Sequence, residues 1–117
     1  MAGASYEDRW EGAWAADMEL LQVLQRHGDR PEIARGVDVT FRGPVDALAE
    51  LAEAAGTFGF TVDRQLEAVD GDEPGLVLLR TQTTEVAAIR DLAETYLRIE
   101  DSFGVDCDGW GCTPQSE

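Results

Sequence analysis

The sequence predicts an α+β sandwich: four strands in one sheet, two helices packed on it, and one more helix ahead of them. Three observations predict it. Short alternating or wholly apolar runs (VDVTFR, FTVDRQL, LVLLR, VDCD) are separated by segments with helical periodicity. A long amphipathic stretch precedes the first of these runs. Glycine and proline punctuate the joins.

Residues 5–28 carry the first helix. Ser5 followed by Asp8 fits an N-terminal capping pattern, and Tyr6, Trp10, Trp14, Met18, Leu21 and Leu24 recur at spacings of four and three on one face. Gly28 is the natural stop, because glycine accepts the left-handed conformation that follows a helix. In VDVTFR, Val37, Val39 and Phe41 alternate with Asp38, Thr40 and Arg42, the pattern of a half-buried strand. Gly43-Pro44 ends it and opens a helix running to about Phe58, with Val45, Leu48, Leu51, Ala52 and Ala55 inward and Gly59 as its cap.

FTVDRQL is the second strand, with Phe60, Val62 and Leu66 inward and Asp63, Arg64 and Glu67 defending an edge. The turn DGDEPG leads to LVLLR, apolar at consecutive positions and so expected to be central and buried on both faces. Thr83 or Thr84 is placed to cap a last helix carrying Val86, Ile89, Leu92, Tyr96, Ile99 and Phe103, which Gly104 stops before VDCD.

The order is a helix followed by βαββαβ, the ferredoxin-like arrangement, in which strands one and three are central and two and four are edges. At 117 residues the chain is most simply one folded unit. Its parts divide into an N-terminal amphipathic helix over 1–32, a ferredoxin-like domain over 33–113 and a short tail over 114–117. With both parities of the third strand apolar, the tryptophan-rich stripe of the first helix is expected to cover the open sheet face, or else to lie in a dimer interface.

Charge bounds the function. There are 24 acidic residues against 9 basic ones, a formal net charge of −15, and every basic residue is arginine. Such a surface repels phosphate backbones, so no direct nucleic-acid partner is expected, whereas a basic protein partner is electrostatically favoured. No apolar run approaches the roughly 20 residues that cross a bilayer. The start MAGASYEDRWEG lacks a basic segment leading into an apolar one, so no signal peptide is read, no membrane is expected as a partner, and the default compartment is the cytoplasm.

Catalytic chemistry finds little support. His27, the only histidine, sits at a helix end where its role is capping. Cys107 and Cys112 are not a C-x-x-C pair, fall short of a zinc site, and read as reduced structural thiols. Asp106 and Asp108 project from one strand face, and Asp70, Asp72 and Glu73 superficially resemble a calcium loop, but neither spacing fits a metal site. No cofactor, metal or catalytic residue is assigned. Trp110, between Gly109 and Gly111, is read either as an aromatic anchor closing the sheet edge or as an exposed hot spot.

The segment FGVDCDGWG at the end of this pattern resembles the family of regulator of ribonuclease E activity B, the protein inhibitors of that endoribonuclease. LAELAEAAGTFGFTV and DGDEPGLVLL match in the same order, so the similarity covers roughly residues 15–112. The first helix is richer in tryptophan than that family leads one to expect. The resemblance implies a small acidic protein that binds ribonuclease E through its noncatalytic scaffold region and alters RNA decay without being an enzyme. Asp106, Asp108 and Trp110 are then the partner-binding candidates, the partner a basic region of ribonuclease E, and the chain a monomer or weak homodimer. The alternatives are a small-molecule-binding or enzymatic domain using the open sheet face, and a dimeric structural module.

Overall fold

A computed structural model describes residues 6–69 and 71–112, apart from the side chain of Tyr6. Ser5, Asp70 and the 114–117 tail, all used in the expectations above, lie outside the described residues. The elements are α1 (Tyr6–Arg26), β1 (Arg35–Arg42), α2 (Val45–Ala54) continued by a single 3₁₀ turn (Ala55–Phe58), β2 (Thr61–Leu66), β3 (Gly75–Gln82), α3 (Val86–Phe103) and β4 (Asp106–Cys112).

The strands form one antiparallel sheet in the order β2-β3-β1-β4, so β1 and β3 are central and β2 and β4 are edges. Val39 faces Leu78 and Phe41 faces Leu76 across the central pair. These four side chains, with Val37, are almost wholly buried and share one core with Leu48 and Leu51 of α2 and with Ile89, Leu92 and Ile99 of α3. All three helices therefore serve the same face. Each fully buried aliphatic or aromatic side chain there contributes about 1.5–3 kcal/mol relative to exposure.

The element order follows the periodicities, but several boundaries and orientations differ from expectation. Val45 is 68% exposed and Val86 57% exposed, because each opens its helix and points away from the sheet. Val62 is also largely exposed, since β2 has no neighbour on its outer side. Leu79 is half out of the core while Leu76, Val77 and Leu78 are fully buried, so LVLLR is central but not sealed on both faces along its length. Glu85, not a threonine, stands at the N-cap of α3 and makes no side-chain cap bond; Thr84 turns inward to Asp29 instead.

Below that threonine lies a buried ion pair. Arg35 and Asp29 side chains are each 2% exposed and bonded to one another. The Arg35 guanidinium also donates to the carbonyls of Arg30 and Ile33. Together they fasten the 27–34 connection to the start of β1, where Gly28 (φ 80°) reverses the chain after α1.

The main correction concerns α1. Its apolar stripe does not lie across the sheet face opposite α2 and α3. Trp10, Trp14, Met18 and Leu21 pack against the same core from beside α3, and the indoles of Trp10 and Trp14 stack with centroids 5.6 Å apart. The opposite face carries Asp38, Thr40 and Arg42 of β1 and Val77, Leu79 and Thr81 of β3; Val77 is fully buried there, whereas Leu79 and Thr81 are exposed.

Candidate functional site

β4 positions every residue singled out at the C-terminal end, and a bulge decides which way each one faces. Phe41 pairs with Cys107 and Val39 with Trp110, so Thr40 alone stands across from both Asp108 and Gly109. Gly109 takes φ 110°, a conformation that side-chain-bearing residues rarely adopt. Without the extra residue Trp110 would share a face with Asp106 and Asp108. With it, Trp110 turns to the helix side, opposite the buried Val39.

The three sequence candidates are thus divided. Asp106 and Asp108 are exposed and sit by Arg42, whose Nε–H donates to Asp108 Oδ2 (3.1 Å) and whose Nη1 donates to the Glu73 carbonyl (3.0 Å). Trp110 is partly buried between α1 and α3, and its Nε1–H donates to Asp17 Oδ1 (2.7 Å).

Asp17 is the residue that sequence reasoning missed. It is 4% exposed, and its other oxygen accepts from Tyr96 Oη–H (3.1 Å). A signal was present: Asp17 falls three residues after Trp14 and four before Leu21, inside the apolar stripe of α1. A carboxylate there must find buried donors, and this one finds them on α3 and β4. Burial holds the Asp17 carboxyl above its ordinary range, with the Trp110 and Tyr96 bonds pulling the other way. Burial, then the neighbouring Asp17 charge, pushes the Tyr96 phenol well up, so it stays a donor.

Two more contacts close the seam. Arg9 on α1 reaches α3, with Nη2 on Glu100 Oε1 (2.7 Å) and Nη1 on Asp101 Oδ1 (2.6 Å). Glu100 accepts in addition from the Cys107 backbone N–H (2.8 Å), so one carboxylate joins α1, α3 and β4. A hollow of about 360 Å³ opens beside this network, lined by Asp17, Tyr96, Glu100, Cys107 and Trp110 among others. Cys107 and Cys112 are free thiols. Burial pushes Cys107 up to about 12, which leaves it protonated and a poor nucleophile at neutral pH.

In this network Asp17 is engaged by Trp110 and Tyr96, and Glu100 by Arg9 and the Cys107 N–H. Among the described residues no group of His, Cys, Asp and Glu is placed to hold a metal ion. No helix among the described residues is long and apolar enough to cross a membrane.

A family model described as regulator of ribonuclease activity B matches residues 14–112, the span that includes the whole sheet, α2, α3 and most of α1. The chain belongs to that family. Membership suggests a regulator of ribonuclease activity, and Asp17, Tyr96, Glu100, Cys107 and Trp110 all fall within the matched span. Arg9 and Trp10 do not, so the first part of α1 is where this regulator of ribonuclease activity B family member extends past the shared region. No curated protein matches the chain.

Proposed function

We propose that this protein is a noncatalytic regulator that binds ribonuclease E through a basic region of the nuclease and alters RNA decay, acting in the cytoplasm. The family match over residues 14–112 carries the reading. Two further features support it. The chain has fifteen more carboxylates than guanidinium groups, which favours a basic polypeptide as partner. Asp106 and Asp108 stand exposed on the edge strand β4, where a partner segment can reach both their charge and the strand. We read the β2-β3-β1-β4 sheet with its two crossover helices as a ferredoxin-like domain extended by α1.

In this reading Asp106 and Asp108 are contact residues, and Trp110 holds the strand that presents them. The test is capture of the noncatalytic region of ribonuclease E by the purified protein, with an RNA-cleavage assay in parallel. Capture that slows cleavage, and that Asp106→Arg with Asp108→Arg weakens, is the expected result. Undiminished affinity in the double variant removes those two residues from the site. RNA or metabolite turnover by the protein alone overturns the noncatalytic assignment.

A further inference from the structure

Two hollows meet at Arg9. The first runs inward to Asp17 and Trp110; the second, also about 360 Å³, runs outward past Glu100 and Asp101 to Asp106. Arg9 and Glu100 line both, so the two hollows adjoin along one groove-like seam that leads from a buried carboxylate to the exposed start of β4. Its walls carry Asp17, Glu100, Asp101 and Asp106 against a single cation, Arg9. The inner part is roomy because α1 presents Ala13 and Ala16 to it, and Leu97 and Trp110 supply apolar surface.

The seam already accepts a guanidinium. Arg9 spans Glu100 and Asp101 at 2.7 and 2.6 Å, the separation of strong charge-assisted bonds. Deeper in, each Asp17 oxygen accepts one bond and retains a second lone pair. Among the described residues no cation offsets the burial that raises its pKa. Arg9 lies outside the family-matched span, whereas the groove's floor lies within it.

We propose that the groove between α1, α3 and β4 receives an arginine side chain from a basic partner segment. Its guanidinium sits between Asp17 and Glu100 and its stem lies along Trp110, while Arg9 acts as a tethered competitor for Glu100. The proposal rests on the reading of the protein as a partner-binding regulator and assigns that partner's anchor. A planar fork of donors suits paired carboxylates beside an indole better than an ammonium does, so arginine is favoured over lysine.

The test titrates the full chain with the peptide acetyl-(Gly-Arg)3-Gly-amide and its lysine counterpart at physiological salt, following the Trp110 indole and Cys107 backbone N–H signals by NMR. The arginine peptide is expected to shift both saturably and to bind more tightly than the lysine peptide. Ala16→Trp, which fills the groove at an exposed position without changing charge, weakens it by about tenfold, as blocking an anchor pocket does. Arg9→Gln tightens it by about threefold, and Arg26→Gln, which removes an equal charge at the exposed end of α1, leaves it unchanged. Ala16→Arg supplies a second blocking variant should the tryptophan perturb folding in circular dichroism.

Equal affinity for the two peptides, or blocking variants that bind as wild type, overturns the proposal. So does a self-association that Ala16→Trp abolishes, which would seat a second copy there. Capture of the ribonuclease E region that both blocking variants leave intact sinks the groove and spares the regulator. A peptide seated in the groove with no capture does the reverse.

Discussion

Asp17 ties α1 to the rest of the molecule by accepting hydrogen bonds from two different elements while almost wholly buried. Asp17→Ala strands the Trp110 and Tyr96 donors and is expected to lower unfolding free energy by about 3 kcal/mol, read from urea melts. Asp17→Asn keeps the shape; its oxygen can accept from Trp110 while its amide donates to Tyr96 Oη, so its cost at neutral pH stays within about 1 kcal/mol. The pH dependence separates charge from shape. Burial raises the folded pKa above the ordinary 3.8, so the folded state holds the Asp17 proton more tightly than the unfolded chain does. This contribution to stability is greatest at low pH and declines as pH climbs from about 3.8 through the raised folded value. The stability of Asp17→Asn relative to wild type is therefore expected to rise over that window and then level off. A difference that shrinks with pH would mean that the two donors outweigh burial.

At the scale of elements, two glycines give opposite forecasts for the same substitution. Gly12 lies within α1 with nothing within 4 Å of an added Cβ, so Gly12→Ala is expected to stabilise by up to about 1 kcal/mol through helix propensity and reduced unfolded-state entropy. Gly109 also has open space around it, but its φ of 110° is strained for alanine, and Gly109→Ala is expected to cost about 2 kcal/mol. The strand can relieve that strain by losing its bulge, which would turn Trp110 away from Asp17, so the indole N–H signal reports which outcome occurs. Thermal melts of both variants check the signs. The bulge also marks where sequence reading stops. Alternation in VDVTFR and helical spacing in α3 report burial directly, so β1, β3, α3 and the sheet order were legible. Gly109 and Gly111 allow a bulge, but a two-residue periodicity does not show whether the strand takes it, so Asp106, Asp108 and Trp110 are grouped as partner-binding candidates although they occupy two surfaces. The stripe on α1 revealed that the helix must pack, not where; the partners of Asp17 on α3 and β4 decide that, and they lie 79 and 93 residues away in sequence.

For the whole molecule, the net charge of −15 acts on folding and on binding with opposite dependence on salt. Even if every arginine paired with one carboxylate, fifteen would remain without a cation. They are held within a radius of gyration of 14.5 Å, comparable to the roughly 10 Å screening length at 0.1 M salt, so they repel one another across the entire domain at low ionic strength. Added salt screens that repulsion. It also weakens exposed pairs such as Arg30–Glu32 and Arg64–Asp63, but water already screens those, so little stability is lost with them. Net screening is therefore expected to stabilise the fold between 20 and 500 mM sodium chloride by on the order of 1 kcal/mol, roughly 4 °C in Tm for a chain of this size. Association with the proposed basic partner is expected to move the other way. Its on-rate is expected to fall steeply over the same range as steering is lost, with dissociation changing less. Melting curves and stopped-flow binding on one preparation test both halves. A Tm that falls with salt would show that the ion pairs outweigh the excess charge. An on-rate indifferent to salt would mean that the acidic surface is not what the partner approaches.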